Sequence, residues 1–192
     1  MKKSLLFVLL IFSTLQLAAQ DKKWSLEANY PISVGSDLGN DASGIIDLGI
    51  KYRFINLSFA NIGFGINASI LSQNSNSFDG FGAESTILDV NETHWLFQPK
   101  VFSEFKIPGL KKLRPSAGIG VTFINSNFDG QFNGTTFDNT NNDTGFNVNL
   151  GLSYDITNFL FLQGQYDFVS YNVSSGQNDN LGFLKFGLGF RF

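Results

Sequence analysis

Residues 184–192 alternate large apolar side chains with charged or minimal ones and end on Phe192. An extended strand sends successive side chains to opposite faces, so Leu184, Phe186, Leu188, Phe190 and Phe192 share one face. Lys185, Gly187, Gly189 and Arg191 share the other. A soluble sandwich turns such an apolar face inward, whereas a barrel in lipid turns it outward and keeps a polar interior. The choice rests on whether every other strand repeats the pattern, because a sheet that spans lipid must close on itself.

Seven further segments repeat it. Over 24–32, Trp24, Leu26, Ala28, Tyr30 and Ile32 oppose Ser25, Glu27 and Asn29. Over 46–54, Ile46, Leu48, Ile50, Tyr52 and Phe54 oppose Asp47, Gly49, Lys51 and Arg53, and over 60–70 Ile62, Phe64, Ile66 and Ile70 oppose glycine, asparagine and serine. The fourth segment sets Trp95, Phe97, Val101 and Phe105 against His94, Gln98, Lys100 and Glu104, with Pro99 on the apolar face, where a local bulge is expected. Over 116–123, 145–156 and 160–168 the same division separates Ile119, Phe123, Phe146, Leu150, Tyr154, Leu162 and Phe168 from residues such as Gly118, Gly120, Asn147, Asn149, Gln163, Gln165 and Asp167. No stretch of ten or more residues after the first twenty shows helical spacing. The expected fold is all-β, an eight-stranded antiparallel up-and-down transmembrane β-barrel.

The charges decide between lipid and water. None lies on an apolar face, while the opposite faces carry Glu27, Asp47, Lys51, Arg53, Lys100, Glu104, Asp167, Lys185 and Arg191. A lipocalin-like barrel would reverse this, with an apolar cavity and a charged outside. Charged residues are 15% of the chain, below the quarter or so of ordinary soluble domains, and phenylalanine alone numbers 22. Those side chains need an apolar solvent.

Residues 1–19 read as a secretory signal peptide: Lys2 and Lys3 precede a short apolar stretch over 5–17, then Ala18 and Ala19. Cleavage falls after 19 or 20, leaving 20–192 as one barrel domain. With no cysteine there is no disulfide scaffold or thiolate metal site. A net charge of −3, with no basic cluster beyond Lys111, Lys112 and Arg114, excludes a nucleic-acid partner.

The connections alternate in length, long over 33–44, 71–93, 126–143 and 171–182 and short over 55–59, 108–113 and 157–158, as expected of long outer loops and short periplasmic turns. Both termini then lie on the periplasmic side. Trp24, Phe54, Tyr154 and Phe190 would form an inner aromatic girdle, and Tyr30, Trp95, Phe123, Phe146 and Phe168 an outer one.

On these residues the chain resembles the small eight-stranded outer-membrane barrels of the OmpA and OmpX type, over essentially the whole mature length. The resemblance implies residence in the outer membrane of a Gram-negative cell, in contact with its lipid. It further implies that Leu184, Phe186, Leu188, Phe190 and Phe192 are an assembly signal read by the barrel-assembly machinery.

Candidate chemistry is sparse. His94 is the only histidine, and no serine two residues away shares its face. Some barrels of this size resemble lipid-modifying enzymes, yet His94 reads as a polar rim or interior residue, and no catalytic residue, metal or cofactor is assigned. The oxygen-rich stretch 138–145 lacks the spaced acids and closing glutamate of a calcium loop. The nine inward charges are expected to form a filled polar network, since eight strands enclose a space that side chains can fill. The loops at 71–93 and 126–143 share an Asn-Ser-Asn motif before Phe78 and Phe128, and offer a surface for an extracellular partner. A structural or surface-interaction protein is therefore expected, with a narrow ion channel as the alternative and a lipid-modifying enzyme behind it.

Overall fold

The computed structural model describes residues 22–34, 43–79, 86–132, 135–172 and 178–192; the signal-peptide assignment lies outside them. Eight strands follow one another: β1 (Trp24–Val34), β2 (Ser43–Asn56), β3 (Ala60–Asp79), β4 (Thr86–Phe105), β5 (Leu113–Phe132), β6 (Thr135–Asp155), β7 (Leu160–Asn172) and β8 (Asn178–Arg191). Each pairs antiparallel with its neighbours in sequence, and β8 returns to β1 to close the barrel. At the seam the Trp24 amide donates to the Phe192 carbonyl at 2.8 Å and the Phe192 amide to the Trp24 carbonyl at 2.9 Å. Closure thereby satisfies the last row of backbone groups, which an apolar solvent would leave unpaired.

One end of the barrel carries short turns whose chemistry is plain in the sequence. Between β4 and β5 the Leu110 amide bonds to the Ile107 carbonyl, with Pro108 and Gly109 between them and Gly109 at φ 83°. Proline supplies the fixed φ of the first central position of a type II turn, and glycine the positive φ of the second. Between β6 and β7 the Thr157 hydroxyl accepts the amides of Phe159 and Leu160. This is the turn end.

At the opposite, hairpin end the strands outlast the expectation. Pairing of β3 with β4 continues to Asp79 and Thr86, and pairing of β5 with β6 to Phe132 and Thr135. Most of the segments 71–93 and 126–143 expected as loops are therefore strand, and so is 138–145. β4 and β5 stay paired as far as Asp89 and Gln131, so β3 to β6 form one four-stranded sheet projecting beyond the barrel. These extensions are rich in Asn, Ser, Thr and Asp, and on β6 both faces are exposed over 136–142, so pairing persists where apolar alternation has stopped.

The expected bulge at Pro99 is absent. β3 stays in register through Ile66 and Pro99, and β4 meets β5 in one register on either side, at Phe97 with Phe123 and Lys100 with Gly120. Proline costs a ladder hydrogen bond without inserting a residue. Register shifts occur instead between β1 and β2 near Asn29 and between β2 and β3 near Gly44 and Arg53.

Burial is inverted relative to a soluble barrel. Asn149 is 2% exposed while its neighbour Leu150 is 56% exposed, and the same alternation recurs on the barrel part of the other strands, as over 24–31 and 94–98. All nine residues of the two expected aromatic girdles are exposed on the outside.

Candidate functional site

The barrel lumen is filled in three successive layers, two polar and one apolar. At the turn end, β2 contributes Arg53, β4 Glu104, β5 Arg114, β6 Asp155 and β8 Arg191. Glu104 accepts from Arg53 at 2.8 Å, Arg191 at 3.2 Å and Arg114 at 3.3 Å. Asp155 pairs with Arg114 at 2.9 Å and also with Arg191. The planar fork of each guanidinium lets one carboxylate serve several strands at once.

Two phenylalanines roof this cluster from inside. Arg191 lies 4.5 Å from the ring centre of Phe161, and Arg53 5.7 Å from that of Phe102. Each ring sits on a glycine directly across the ladder, Phe102 on Gly63 and Phe161 on Gly189. A Cβ on Gly189 would fall 2.2 Å from the Phe161 ring, so only glycine leaves room for it. The inward glycines make space for larger neighbours.

The middle layer is held by lysines. Lys51 pairs with Glu27 at 2.8 Å, and Glu27 also accepts from Gln165. Lys185 lies 2.7 Å from both Asp47 and Asp167 and donates to Gln98 at 2.9 Å. Asp47 accepts further from Asn29, Asn67 and Ser69, and Asp167 from Asn149. The Lys100 ammonium is buried and finds no hydrogen-bond acceptor among the described residues. The nine charges named from the sequence are thus all placed inside and buried, five cations with four carboxylates. Eight of them form ion pairs with one another, and Lys100 stands apart.

The third layer was not legible as such. One inward step toward the hairpin end, polar residues give way to apolar ones on five strands: Ser69 to Leu71, Gln98 to Leu96, Thr122 to Ile124, Asp167 to Val169, and Lys185 to Phe183. With Leu181 these side chains pack into one buried cluster inside the lumen. The signal that could have found it is a set of apolar doublets, Ile70-Leu71, Leu96-Phe97, Phe123-Ile124, Phe168-Val169 and Phe183-Leu184, in which one member breaks the alternation.

Beyond that layer, β4 and β5 bring together His94 and Ser126, directly opposite in the ladder, with Ser126 Oγ 2.8 Å from His94 Nδ1. Glu92 lies 3.6 Å from His94 Nε2, and Phe128 packs edge-on against the imidazole. A serine within reach of His94 thus comes from the adjacent strand. Both are buried, Ser126 to 7% and His94 to 2% exposure. Phe137 is exposed, while the side chains of Phe78, Phe81 and Phe132 lie outside the described residues. Among the described residues no group of His, Asp and Glu is arranged to hold a metal ion.

A closed barrel of eight neighbouring strands with an apolar exterior and an ion-paired interior defines an integral membrane β-barrel. The sequence matches the family described as outer membrane protein beta-barrel domain over residues 4–192, and the chain belongs to that family. No curated protein matches the chain. Among solved structures it is similar to OprG from Pseudomonas aeruginosa (13% identity, 88% of this chain and 95% of that one, TM-score 0.59). It is also similar to Ail, the attachment invasion locus protein of Yersinia pestis (13% identity, 88% and 96%, TM-score 0.54). A third such structure is the N-terminal β-barrel domain of Pseudomonas aeruginosa OprF (15% identity, 88% and 96%, TM-score 0.52). At such identities the likeness is one of fold.

Proposed function

We propose that this protein is an exported outer-membrane barrel with a closed lumen, which works by presenting its projecting sheet to a partner outside the cell and carries out no catalysis. In this reading residues 1–19 or 1–20 are removed on export from the cytoplasm of a Gram-negative cell. Lipid covers the exposed apolar belt, the turn end faces the periplasm, and the barrel-assembly machinery reads the strand face of Leu184, Phe186, Leu188, Phe190 and Phe192.

One observation carries the surface role. Pairing of β6 with β7 begins only at Gly145 and Tyr171, so among the described residues 135–144 have β5 on one side and no strand on the other. Every residue of 136–144 except the half-buried Asp143 is exposed. A free strand edge offers a row of backbone donors and acceptors to an added strand, while its asparagines, threonines and aspartates keep it soluble. The apolar layer supports the closed lumen over a conducting one, because an ion would have to cross it without polar partners.

Adjacent residues of a strand turn their amides to opposite sides, so of Thr140→Pro and Asn141→Pro one removes a donor from the free edge. Adhesion of cells bearing the barrel to immobilised extracellular proteins, and to cells with the same barrel, should fall in that variant while heat-modifiable gel mobility persists. Adhesion equal to that of wild type in both variants refutes the surface reading.

A further inference from the structure

The sheet that projects beyond the barrel carries fixed charge of one sign only. Asp79, Asp89, Glu92, Asp129, Asp138 and Asp143 lie on its strands, and no lysine or arginine occurs between Arg53 and Lys100 or between Arg114 and Lys185. From Lys22 onward, every lysine and arginine lies in the lumen or at the turn end. Two of the acids face each other. Asp129 on β5 stands directly opposite Asp138 on β6 in the ladder, and both are exposed. Like charges directly opposite on a sheet repel, and this pair has no lysine or arginine on the sheet to relieve it. On its other side Asp129 meets the uncharged Asn91 of β4, so the row Asn91, Asp129, Asp138 ends with a carboxylate at the free edge of β6.

We infer that the partner taken by this edge is a basic polypeptide strand, with a lysine or arginine at the position that pairs with Asp138. The inference rests on the reading of residues 135–144 as a docking edge and adds the chemistry of what docks there. Backbone pairing supplies an affinity that is blind to sequence, and charge then selects among the strands able to make it. A lysine or arginine beside Asp138 turns a repulsive row into a favourable one, whereas an acidic strand adds a third carboxylate to it. The same sign rule disfavours a second copy of this edge, which would bring its own Asp138 and Asp143 against those of the first. Nucleic acid is repelled by the same field.

The test uses the full mature barrel in a zwitterionic detergent and three fluorescent peptides, which alternate threonine with lysine, with glutamine or with glutamate. Binding is read by anisotropy, and heat-modifiable mobility verifies that each variant is folded. Wild type should bind the lysine peptide about tenfold or more tightly than the glutamate peptide, with the glutamine peptide between them, and the preference should shrink with added salt. The double variant Asp129→Asn/Asp138→Asn keeps the backbone edge and should weaken lysine-peptide binding about fivefold, while Asp179→Asn on β8, outside the sheet, leaves it unchanged. Binding that is lost in one of Thr140→Pro and Asn141→Pro but ignores peptide charge overturns this inference and leaves the docking edge standing. Equal lysine-peptide binding by both proline variants refutes the edge itself. No binding of the lysine peptide to wild type, or undiminished binding by the double asparagine variant, also overturns the proposal. So does calcium binding that the double variant loses without any preference for the lysine peptide, since the facing carboxylates then serve a metal ion.

Discussion

Two neighbouring layers of the lumen are built on the same inward face of the strands, yet they are opposite in chemistry. Lys185 is held by two carboxylates and an amide, and its cluster ties β2, β3, β4, β7 and β8 together. One inward step away, Leu96, Val169 and Phe183 pack into an apolar cluster with Leu71, Ile124 and Leu181. The ionic layer specifies which strands meet, because each ion pair has few geometries that satisfy it. The apolar layer needs only volume, and it is the part that excludes water.

Three substitutions probe that contrast. The largest effect is expected from Lys185→Met, which leaves Asp47 and Asp167 buried without their shared cation and should cost about 3 to 5 kcal/mol in urea unfolding from lipid vesicles. A loss well under 1 kcal/mol would mean that the ionic layer does not hold the strands. Next comes Leu150→Arg on the exposed belt, with an expected cost of about 2 to 4 kcal/mol near mid-strand. Unchanged stability there would contradict the assignment of that face to lipid. The smallest is Leu96→Asn, which places an amide in the apolar layer and should cost about 1 to 3 kcal/mol. Should Leu96→Asn prove harmless, the layer already holds water and the two layers differ less than the packing implies.

What could be read from the sequence follows from where lipid acts. On the belt, residues such as Leu150 and Phe186 meet an apolar solvent on one side only, so period-two alternation is enforced and the strands and their faces are legible. Past Leu71 and Ser126 the apolar alternation lapses in the sequence, and strands that continue by backbone pairing look like loops. Pro99 looked like a bulge because its missing donor is visible in the sequence, while the unbroken register around it is a property of its neighbours. The ionic lumen was legible as a set of inward charges, but not the isolation of Lys100 or the division of labour between Glu104, Asp47 and Asp167. The partnership of His94 with Ser126 depends on the β4–β5 register, and separation in sequence concealed it. The apolar layer was masked because Leu96 or Val169 beside a lipid-facing aromatic looks like one more apolar residue.

Single-channel recording of the folded barrel in a planar bilayer tests the closed lumen most directly. A closed lumen gives no conductance steps above the noise for the wild-type protein. Reproducible steps that vanish when Lys100 or Lys185 is replaced would contradict it, because the ionic layer would then be a pathway and the apolar layer no barrier.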